Sequence, residues 1–394
     1  IVHLVLAKIQ GAPAGVKGIS LFVVPKFRLD ENGEPAERND VSLAGLIHKM
    51  GYRGTTSTVL SFGEKDDCHG YLVGEEHQGL KYMFLMMNEA RLGVGFGAAM
   101  VGYAGYRYTL AYAKERTQGR VAPHNKPTDK AATIIQHGDV KRMLLAQKSY
   151  VEGGMALCFY AARLVDELHT LESPEAKQRT AELLDLLTPV VKAWPSEFGP
   201  KANDLAIQIL GGSGYTREYP VEQCWRDNRL NPIHEGTNGI QALDLMTRKL
   251  WQANGSGLVQ LQKMMSEDFA KAQHQASKRL IADLQPYLAK LQKLIPVIGA
   301  ELKGENQNSL LANASCFLTI FGQIVVSWMW IRQAITAEAA LNGGSLSSDD
   351  EAFYRGKLQA AKYFIDWELT VTDRDFKILN SMNDSCSNMQ EAWF

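Results

Sequence analysis

Apolar residues in this chain change their spacing near Gly74, from the alternation of strands to the three-and-four spacing of helices. Before that point, β-branched and apolar residues lie between turn signals such as Gly11-Ala12-Pro13 and Asn32-Gly33, which predicts strands at 1–9, 19–25, around 42–47 and 56–62. After it, the helical spacing predicts helices at roughly 78–116, 129–170, 174–193, 197–211 and 236–252. The fold class is therefore mainly α, with an antiparallel β remnant at the start.

A second boundary lies at residues 254–257, where Asn-Gly-Ser-Gly interrupts the helical pattern. Helices follow it at roughly 258–300, 308–342 and 348–380. We expect three domains: a partial β domain over 1–75, a four-helix bundle over 76–253, and an extra helical domain over 258–394. The apolar stripes of the last domain are typical of core packing and oligomer contacts.

Charge and cysteine usage exclude several classes of function. A formal charge of −1 and a pI near 6.8 give no field that would attract nucleic acid or an anionic membrane. The five cysteines are scattered and form no cluster with metal-ligand spacing, so we expect reduced thiols and no metal site.

The first residues lack a basic leader region, and no later apolar run has the length expected of a membrane span. We expect a cytoplasmic or organelle-matrix protein.

The sequence opens without Met, inside an apolar alternating stretch that is typical of a strand in the middle of a sheet. Such a strand needs partners on both sides. We therefore expect the chain to be N-terminally truncated.

Candidate chemistry is concentrated between Gln208 and Gln241. Three glycines in four positions, at 211, 212 and 214, follow a helical pattern and permit positive φ and close backbone approach, although a plain helix C-cap explains them equally. Glu235 stands just before Gly236 and Thr237, where a new helix is predicted to begin with exposed N–H groups that can hold a phosphate. The alternative is that Glu235 only favours the helix start electrostatically.

Taken in order, these residues resemble the signature of the acyl-CoA dehydrogenase family. Its pattern, Q-x-x-G-G-x-G-[YF], E-Y-P, R-D and E-G-T, is matched here by Gln208 to Tyr215, Glu218-Tyr219-Pro220, Arg226-Asp227 and Glu235-Gly236-Thr237. Glu235 lies 27 positions after Gln208 (235 − 208), which is the family's interval. The resemblance runs from residue 1 to about 252. It implies the end of a middle β domain followed by an acyl-CoA dehydrogenase-type four-helix bundle, with FAD held between them.

The resemblance implies FAD-dependent conversion of an acyl-CoA thioester to its trans-2-enoyl form. Glu235 would remove the α-proton, the β-hydrogen would leave as hydride to flavin N5, and the Glu235 N–H with a ribityl hydroxyl would polarise the thioester carbonyl. Some relatives carry the base on another helix, directly before an Arg. Here Ala90 precedes Arg91 and Glu89 is one position too early, so Glu235 is the expected base and Glu89 is expected to be solvated or ion-paired.

The family likeness also assigns cofactor and substrate contacts. Thr237 matches a contact to the chain's own FAD, and Asn88, Arg91 and Gly236 match the substrate site, with a surface ion pair as the alternative for Arg91. Gly119 and Gly239 depart from the family pattern, since they replace an aromatic that stacks on the cofactor and a polar residue that assists its phosphate. Contacts to the FAD of a neighbouring subunit are implied for Arg116, Gln118, Gln208, Gly211 and Gly212. A shared site implies a homodimer or homotetramer. Arg226 and Asp227 are expected to form a structural ion pair.

The segment Asp139 to Met143 and the domain after residue 257 are most similar to a bacterial branch that includes 3-methylmercaptopropionyl-CoA dehydrogenase-like proteins. Electron transfer flavoprotein is the implied electron acceptor. Three alternatives stay open: an acyl-CoA oxidase that reduces oxygen, a DNA-associated relative, and a non-catalytic helical assembly unit that no longer retains FAD. The neutral to slightly acidic C-terminal composition disfavours DNA binding, which needs clustered Lys and Arg.

Overall fold

A computed structural model of the chain describes residues 1–394 except Asn125, and describes the backbone but not the side chains of Leu85 and Asn88. The chain forms two compact units, Ile1–Ala90 and Arg91–Phe394. The strands are β1 Val2–Lys8, β2 Ile19–Pro25, β3 Phe27–Leu29, β4 Pro35–Arg38, β5 Val41–Leu46, β6 Thr58–Phe62 and β7 Tyr71–Leu72. The helices are α1 Gly79–Glu115, α2 Gly138–Thr170, α3 Pro174–Leu210, α4 Val221–Asn228, α5 Asn238–Thr247, α6 Ser256–Phe269, α7 Gln275–Glu301, α8 Gln307–Ala312, α9 Ala314–Asn342, α10 Ser348–Tyr363 and α11 Thr372–Asn380.

The first unit is built from antiparallel pairs, as the sequence predicts. Strands β1, β2 and β7 form one sheet in that order, and β3–β4 and β5–β6 form two hairpins. Gly33, in the turn between β3 and β4, has a φ of +82°, a conformation that glycine adopts without strain. The sequence missed β3, β4 and β7, because strands of two to four residues are too short to establish an alternating pattern.

Three long helices organise the second unit. Helices α1 and α3 lie side by side and run parallel. At one point along them, a Cβ added to Gly102 would lie 3.2 Å from the Cα of Gly199. Further along both helices, Ala113 and Ile209 belong to one apolar cluster. Helix α2 runs antiparallel to α3, because Gln147 near its start donates to the carbonyl of Ala202 near the α3 end (2.7 Å). Residues about 97 apart in α1 and α3 therefore face each other.

Helix α3 is continuous from Pro174 to Leu210, so the predicted break between 193 and 197 was wrong. It contains Pro189, Pro195 and Pro200, each of which normally interrupts a helix because it lacks an N–H donor. Residues 186–200 around these prolines are buried among neighbouring helices, apart from the exposed Glu197, and tertiary packing offsets the lost hydrogen bonds. The predicted C-terminal end was correct, since Gly211 caps the helix with a φ of +62°.

Other predicted helices begin later or are interrupted. Helix α2 begins at Gly138 rather than 129, because Thr117 and Thr133 form an antiparallel bridge and the described residues between them are not helical. The predicted helix 258–300 is split into α6 and α7, and 348–380 contains a π-helical turn, Phe364–Glu368. These irregularities leave the apolar period almost unchanged, so the sequence does not reveal them.

Helix α9 is the centre of the C-terminal helices. Trp328 and Trp330 are fully buried, and Trp330 Nε1 donates to the carbonyl of Ser149 in α2 (3.1 Å). Helix α9 is long and apolar enough to cross a membrane, judged by length and composition alone. This corrects the expectation that no apolar run has that length. Of the most apolar window of α9, 83% is buried inside the protein, which is typical of a core helix.

Candidate active site

Glu235 lies in a turn with an unusual backbone between α4 and α5. It is half-buried, and its φ is +53°, a region that side-chain-bearing residues rarely adopt. Gly236 follows with a φ of +83°. Such a conformation costs on the order of 1 kcal/mol or more and persists only when neighbouring structure enforces it, often at a functional site. The turn therefore presents Glu235 in one defined direction.

Gln241 enforces this turn from the first turns of α5. Its side chain is completely buried, and its Nε2 donates to the carbonyls of Glu235 and Gly236, both at 3.3 Å. A Cβ at Gly236 would lie 2.7 Å from that nitrogen, so the position requires glycine for space as well as for φ. Thr237 caps α5 by accepting a hydrogen bond from the Ile240 N–H (3.3 Å). Within the described part of the chain, no group accepts a hydrogen bond from the Glu235 N–H.

A row of buried amides leads from the bundle to the residue before Glu235. Asn228 Nδ2 donates to Asn203 Oδ1 (2.7 Å), and Asn231 Nδ2 donates to Asn228 Oδ1 (2.8 Å). His234 Nε2 then lies 3.0 Å from Asn231 Oδ1. The three asparagines are at most 2% exposed, so the row is rigid and fixes the backbone immediately preceding Glu235.

Arg91 reaches the same turn from α1. It is 5% exposed, its Nη1 lies 3.7 Å from Asp244 Oδ2, and its Nη2 lies 3.8 Å from the place that a Cβ of Gly236 would occupy. Its buried Nε has no acceptor among the described residues. A surface ion pair therefore does not describe Arg91, which lies in the interior beside the turn that carries Glu235.

Lys192 is a second buried cation at this turn, and no motif in the sequence singles it out. It is completely buried in α3, and its Nζ donates to Oδ1 of Asn238, the first residue of α5 (3.2 Å). Burial, and then the nearby Arg91, lower the pKa of Lys192 to about 8, while Glu235 opposes the shift. The pKa of His234 is also lowered, first by burial and then by Lys192, again against Glu235. These residues therefore form one electrostatic cluster around Glu235.

The residues assigned to a neighbouring subunit's cofactor lie at the other end of the bundle. Arg116 and Gln118 are exposed in the loop after α1, where the Gln118 N–H donates to the Ala132 carbonyl (2.9 Å). Gln208, Gly211 and Gly212 are exposed at the end of α3. Sixteen residues separate Lys192 from Gln208 in α3, which is about 24 Å at 1.5 Å per residue. These two groups of predicted site residues are therefore well separated within one chain.

Gly119 replaces an aromatic residue of the family pattern. The imidazole of His137 lies beside this glycine. A Cβ added there would lie 3.3 Å from Cε1 of His137, whose Nε2 donates to the Gln118 carbonyl (2.7 Å). The His137 ring therefore covers the backbone at the position where the family pattern has an aromatic.

The remaining predicted residues have less defined surroundings. The side chain of Asn88 lies outside the described residues, and Glu89 is exposed on α1. Arg226 forms an ion pair with Glu222 of its own helix, with Nε 2.6 Å from Oε2. Thr237 is exposed at the α5 N-terminus.

Comparison with protein families gives two adjacent matches. Residues 77–250 match the family described as acyl-CoA dehydrogenase, C-terminal domain. Residues 258–390 match the family described as acetyl-CoA dehydrogenase C-terminal like.

Two curated relatives are similar over nearly the whole chain. The broad-specificity linear acyl-CoA dehydrogenase FadE5 of Mycobacterium tuberculosis is 35% identical over 100% of this chain and 66% of its own length. The 3-methylmercaptopropionyl-CoA dehydrogenase of Ruegeria pomeroyi is 36% identical over 98% of this chain and 64% of its own length. The chain thus spans slightly less than two thirds of the length of these relatives.

Two solved structures share the fold. Caenorhabditis elegans ACDH-11, in complex with C11-CoA, superposes with a TM-score of 0.74 and 20% identity, over 96% of this chain and 60% of that one. An acyl-CoA dehydrogenase of Bacillus anthracis complexed with FAD gives a TM-score of 0.64 and 19% identity, over 97% of this chain and 64% of that one.

Proposed function

The chain belongs to the acyl-CoA dehydrogenase family, and from this premise we propose that it carries the catalytic base of an FAD-dependent enzyme that oxidises acyl-CoA thioesters to trans-2-enoyl-CoA. The observation that carries the proposal is the turn at Glu235. A half-buried carboxylate is held there in a strained backbone conformation, next to two buried cations and at the start of a helix.

In this proposal Glu235 takes the α-proton of the thioester. That proton is weakly acidic, so the carbonyl oxygen must be polarised as negative charge develops on it. The Glu235 N–H suits this role because no group in the described part of the chain competes for it. Gln241 and the row of buried amides hold the turn in place, so that the carboxylate and the N–H keep a fixed relation. Arg91 and Gly236 would line the substrate side of the turn.

The exposed donors fit a phosphate-bearing flavin cofactor. Arg116 offers a guanidinium that no described residue engages through its side chain, and Gln118 and Gln208 offer amides. Gly211 and Gly212 have open space where a side chain would lie, so a flat group can approach their backbone. Thr237 lies at the N-terminus of α5, which suits an anion. When bound, FAD would supply the oxidant, accepting the β-hydrogen as hydride at N5.

The separation of about 24 Å along α3 supports a site shared between subunits. Asn238, which follows Thr237, contacts α3 at Lys192, Ala193 and Glu197, whereas Gln208, Gly211 and Gly212 lie at or just beyond the C-terminal end of that helix. A second copy of the chain could bring its far end to the first copy's Glu235. We therefore propose a homodimer or homotetramer as the working assembly, with electron transfer flavoprotein as the electron acceptor.

Flavin bleaching on addition of substrate tests the proposed reaction. Mixing the flavin-loaded enzyme anaerobically with straight, branched and methylthio-substituted acyl-CoA thioesters should bleach the flavin near 450 nm with at least one of them, and the thioester that bleaches fastest identifies the acyl class. Retained bleaching with rapid oxygen consumption in air would indicate an oxidase. A flavin-loaded protein that no thioester reduces would contradict the proposal.

Arg116 provides a separate prediction for cofactor binding. Replacing Arg116 with Ala should weaken FAD binding about tenfold to a hundredfold, since a charge-assisted hydrogen bond contributes about 1.5–3 kcal/mol. The control is Arg107→Ala, which removes an exposed arginine of α1 whose side chain lies over the Tyr103 ring. Titration of the apoprotein with FAD, followed by flavin fluorescence, measures both. Equal affinities in the two variants would remove Arg116 from the cofactor site.

A further inference from the structure

Lys192 has no role in the reaction as described, yet it is a completely buried cation next to the turn at Glu235. We propose that Lys192 is a positioning residue for the base: it anchors the turn through Asn238 and keeps a positive charge behind the Glu235 carboxylate. This inference rests on the proposed function, because it assigns Lys192 a part in the same proton abstraction.

The burial of Lys192 is costly and lacks a structural explanation. No carboxylate of the described residues lies within 4 Å of its Nζ, and its hydrogen bond goes to the neutral amide of Asn238. A buried ammonium without a contacting carboxylate destabilises the folded state, and a methionine of similar length would fill the same space without that penalty. A buried cation of this kind, which lowers the stability of the fold, is a candidate for a functional role.

Anchoring is the first part of the proposed role. Asn238 is held to α3 from both sides of its amide: Oδ1 accepts from Lys192 Nζ (3.2 Å), and Nδ2 donates to the Ala193 carbonyl (3.4 Å). Asn238 begins α5 only three residues after Glu235. The turn that carries Glu235 is therefore held on both sides. Hydrogen bonds of Asn238 join its C-terminal side to α3, and the hydrogen bond between His234 and Asn231 fixes its N-terminal side.

Charge is the second part. The charged and titratable groups that act on Lys192 are Arg91 from α1 and Glu235 from the turn, and His234 interacts with both Lys192 and Glu235. Arg91 is partly neutralised by Asp244 of α5, whereas Lys192 has no such partner in the described chain. When a bound acyl chain excludes water, the attraction between the Lys192 ammonium and the Glu235 carboxylate becomes stronger, and this carboxylate is the group that accepts the α-proton.

The kinetic test compares Lys192→Met with two other variants in the flavin-loaded enzyme. Lys192→Met should lower kcat at least tenfold and move the acid limb of the pH–rate profile to higher pH, because protonation of the base is no longer opposed. Asn238→Ala breaks the anchor but keeps the charge, so it should lower kcat without moving the acid limb. Lys263→Met, which removes an exposed lysine of α6, should change neither.

A second readout needs no turnover. The folded-state pKa of Lys192 is lowered from 10.5 to about 8, so the unfolded chain binds this proton more tightly and the lysine destabilises the fold below pH 8. That penalty disappears as the pH rises from about 8 to 10.5. Lys192→Met should therefore have a higher Tm than the parent at pH 7, and the difference should shrink by pH 10.

The outcomes separate this inference from the proposed function. An unmoved acid limb together with a lower Tm in Lys192→Met would make Lys192 a structural residue and overturn the inference. If Glu235→Gln kept normal turnover, the proposed function itself would fail. Loss of activity in Glu235→Gln with a normal profile in Lys192→Met would overturn the inference alone.

Discussion

Replacing Glu235 with Gln is expected to lower the rate of acyl-CoA dehydrogenation about a thousandfold or more, while FAD remains bound. The amide is nearly isosteric with the carboxylate and cannot accept the α-proton, and a positioned general base contributes about 10²–10⁴ in rate. The backbone N–H that would polarise the thioester is retained, so binding of a thioester should change little. Anaerobic stopped-flow measurement of flavin bleaching separates the chemical step from binding.

The matched control is Glu89→Gln. Glu89 is a carboxylate on α1 that is exposed, and it lies two positions before Arg91 in the segment where some relatives carry the base. Its replacement should leave the bleaching rate within about twofold of the parent. A slow Glu89→Gln combined with a normal Glu235→Gln would move the base to α1 and refute the assignment made from the motif.

Some features of the candidate site can be predicted from the sequence, because they depend on residues that are close together in the chain. Glu235 can be proposed as the base from the sequence because the fixed interval from Gln208 and the E-G-T motif are local in sequence, and α5 begins where that motif predicts a helix start. The strained φ of Glu235 was not predictable, since it arises from Gln241 and from buried neighbours that are distant in the chain. Its position could be predicted from the sequence, and its conformation could not.

Lys192 and the row of asparagines were missed for a different reason. A lysine in a helical pattern usually lies on the solvated face, and the sequence predicts a helix end at 193, directly after Lys192. Only the continuity of α3 places Lys192 inside the bundle. Similarly, Asn203, Asn228 and Asn231 are unremarkable polar residues in sequence, and they become a network only once α3 and α4 are packed together.

The close approach of α1 to α3 leads to the second large prediction. Pro195 has no N–H to donate to the carbonyl of Val191, four residues earlier, and Gly95 of α1 lies directly against that carbonyl. A Cβ at Gly95 would overlap the Val191 oxygen and lie 2.9 Å from the carbonyl carbon. Because the obstacle is backbone, no side chain can move aside. Gly95→Ala should destabilise the protein by about 3 kcal/mol or more, measured by urea unfolding followed by circular dichroism.

Gly93→Ala is the control within the same helix. A Cβ at Gly93 would meet nothing within 4 Å, so the usual preference of helices for alanine should stabilise the protein by up to about 1 kcal/mol. The two substitutions add the same methyl group two residues apart and should move the urea midpoint in opposite directions. Equal midpoints would mean that α1 does not press on α3 at Gly95. Arg91 and Lys192 would then lose the close crossing that brings both cations to the turn of Glu235, and the electrostatic part of the mechanism would lose its structural basis.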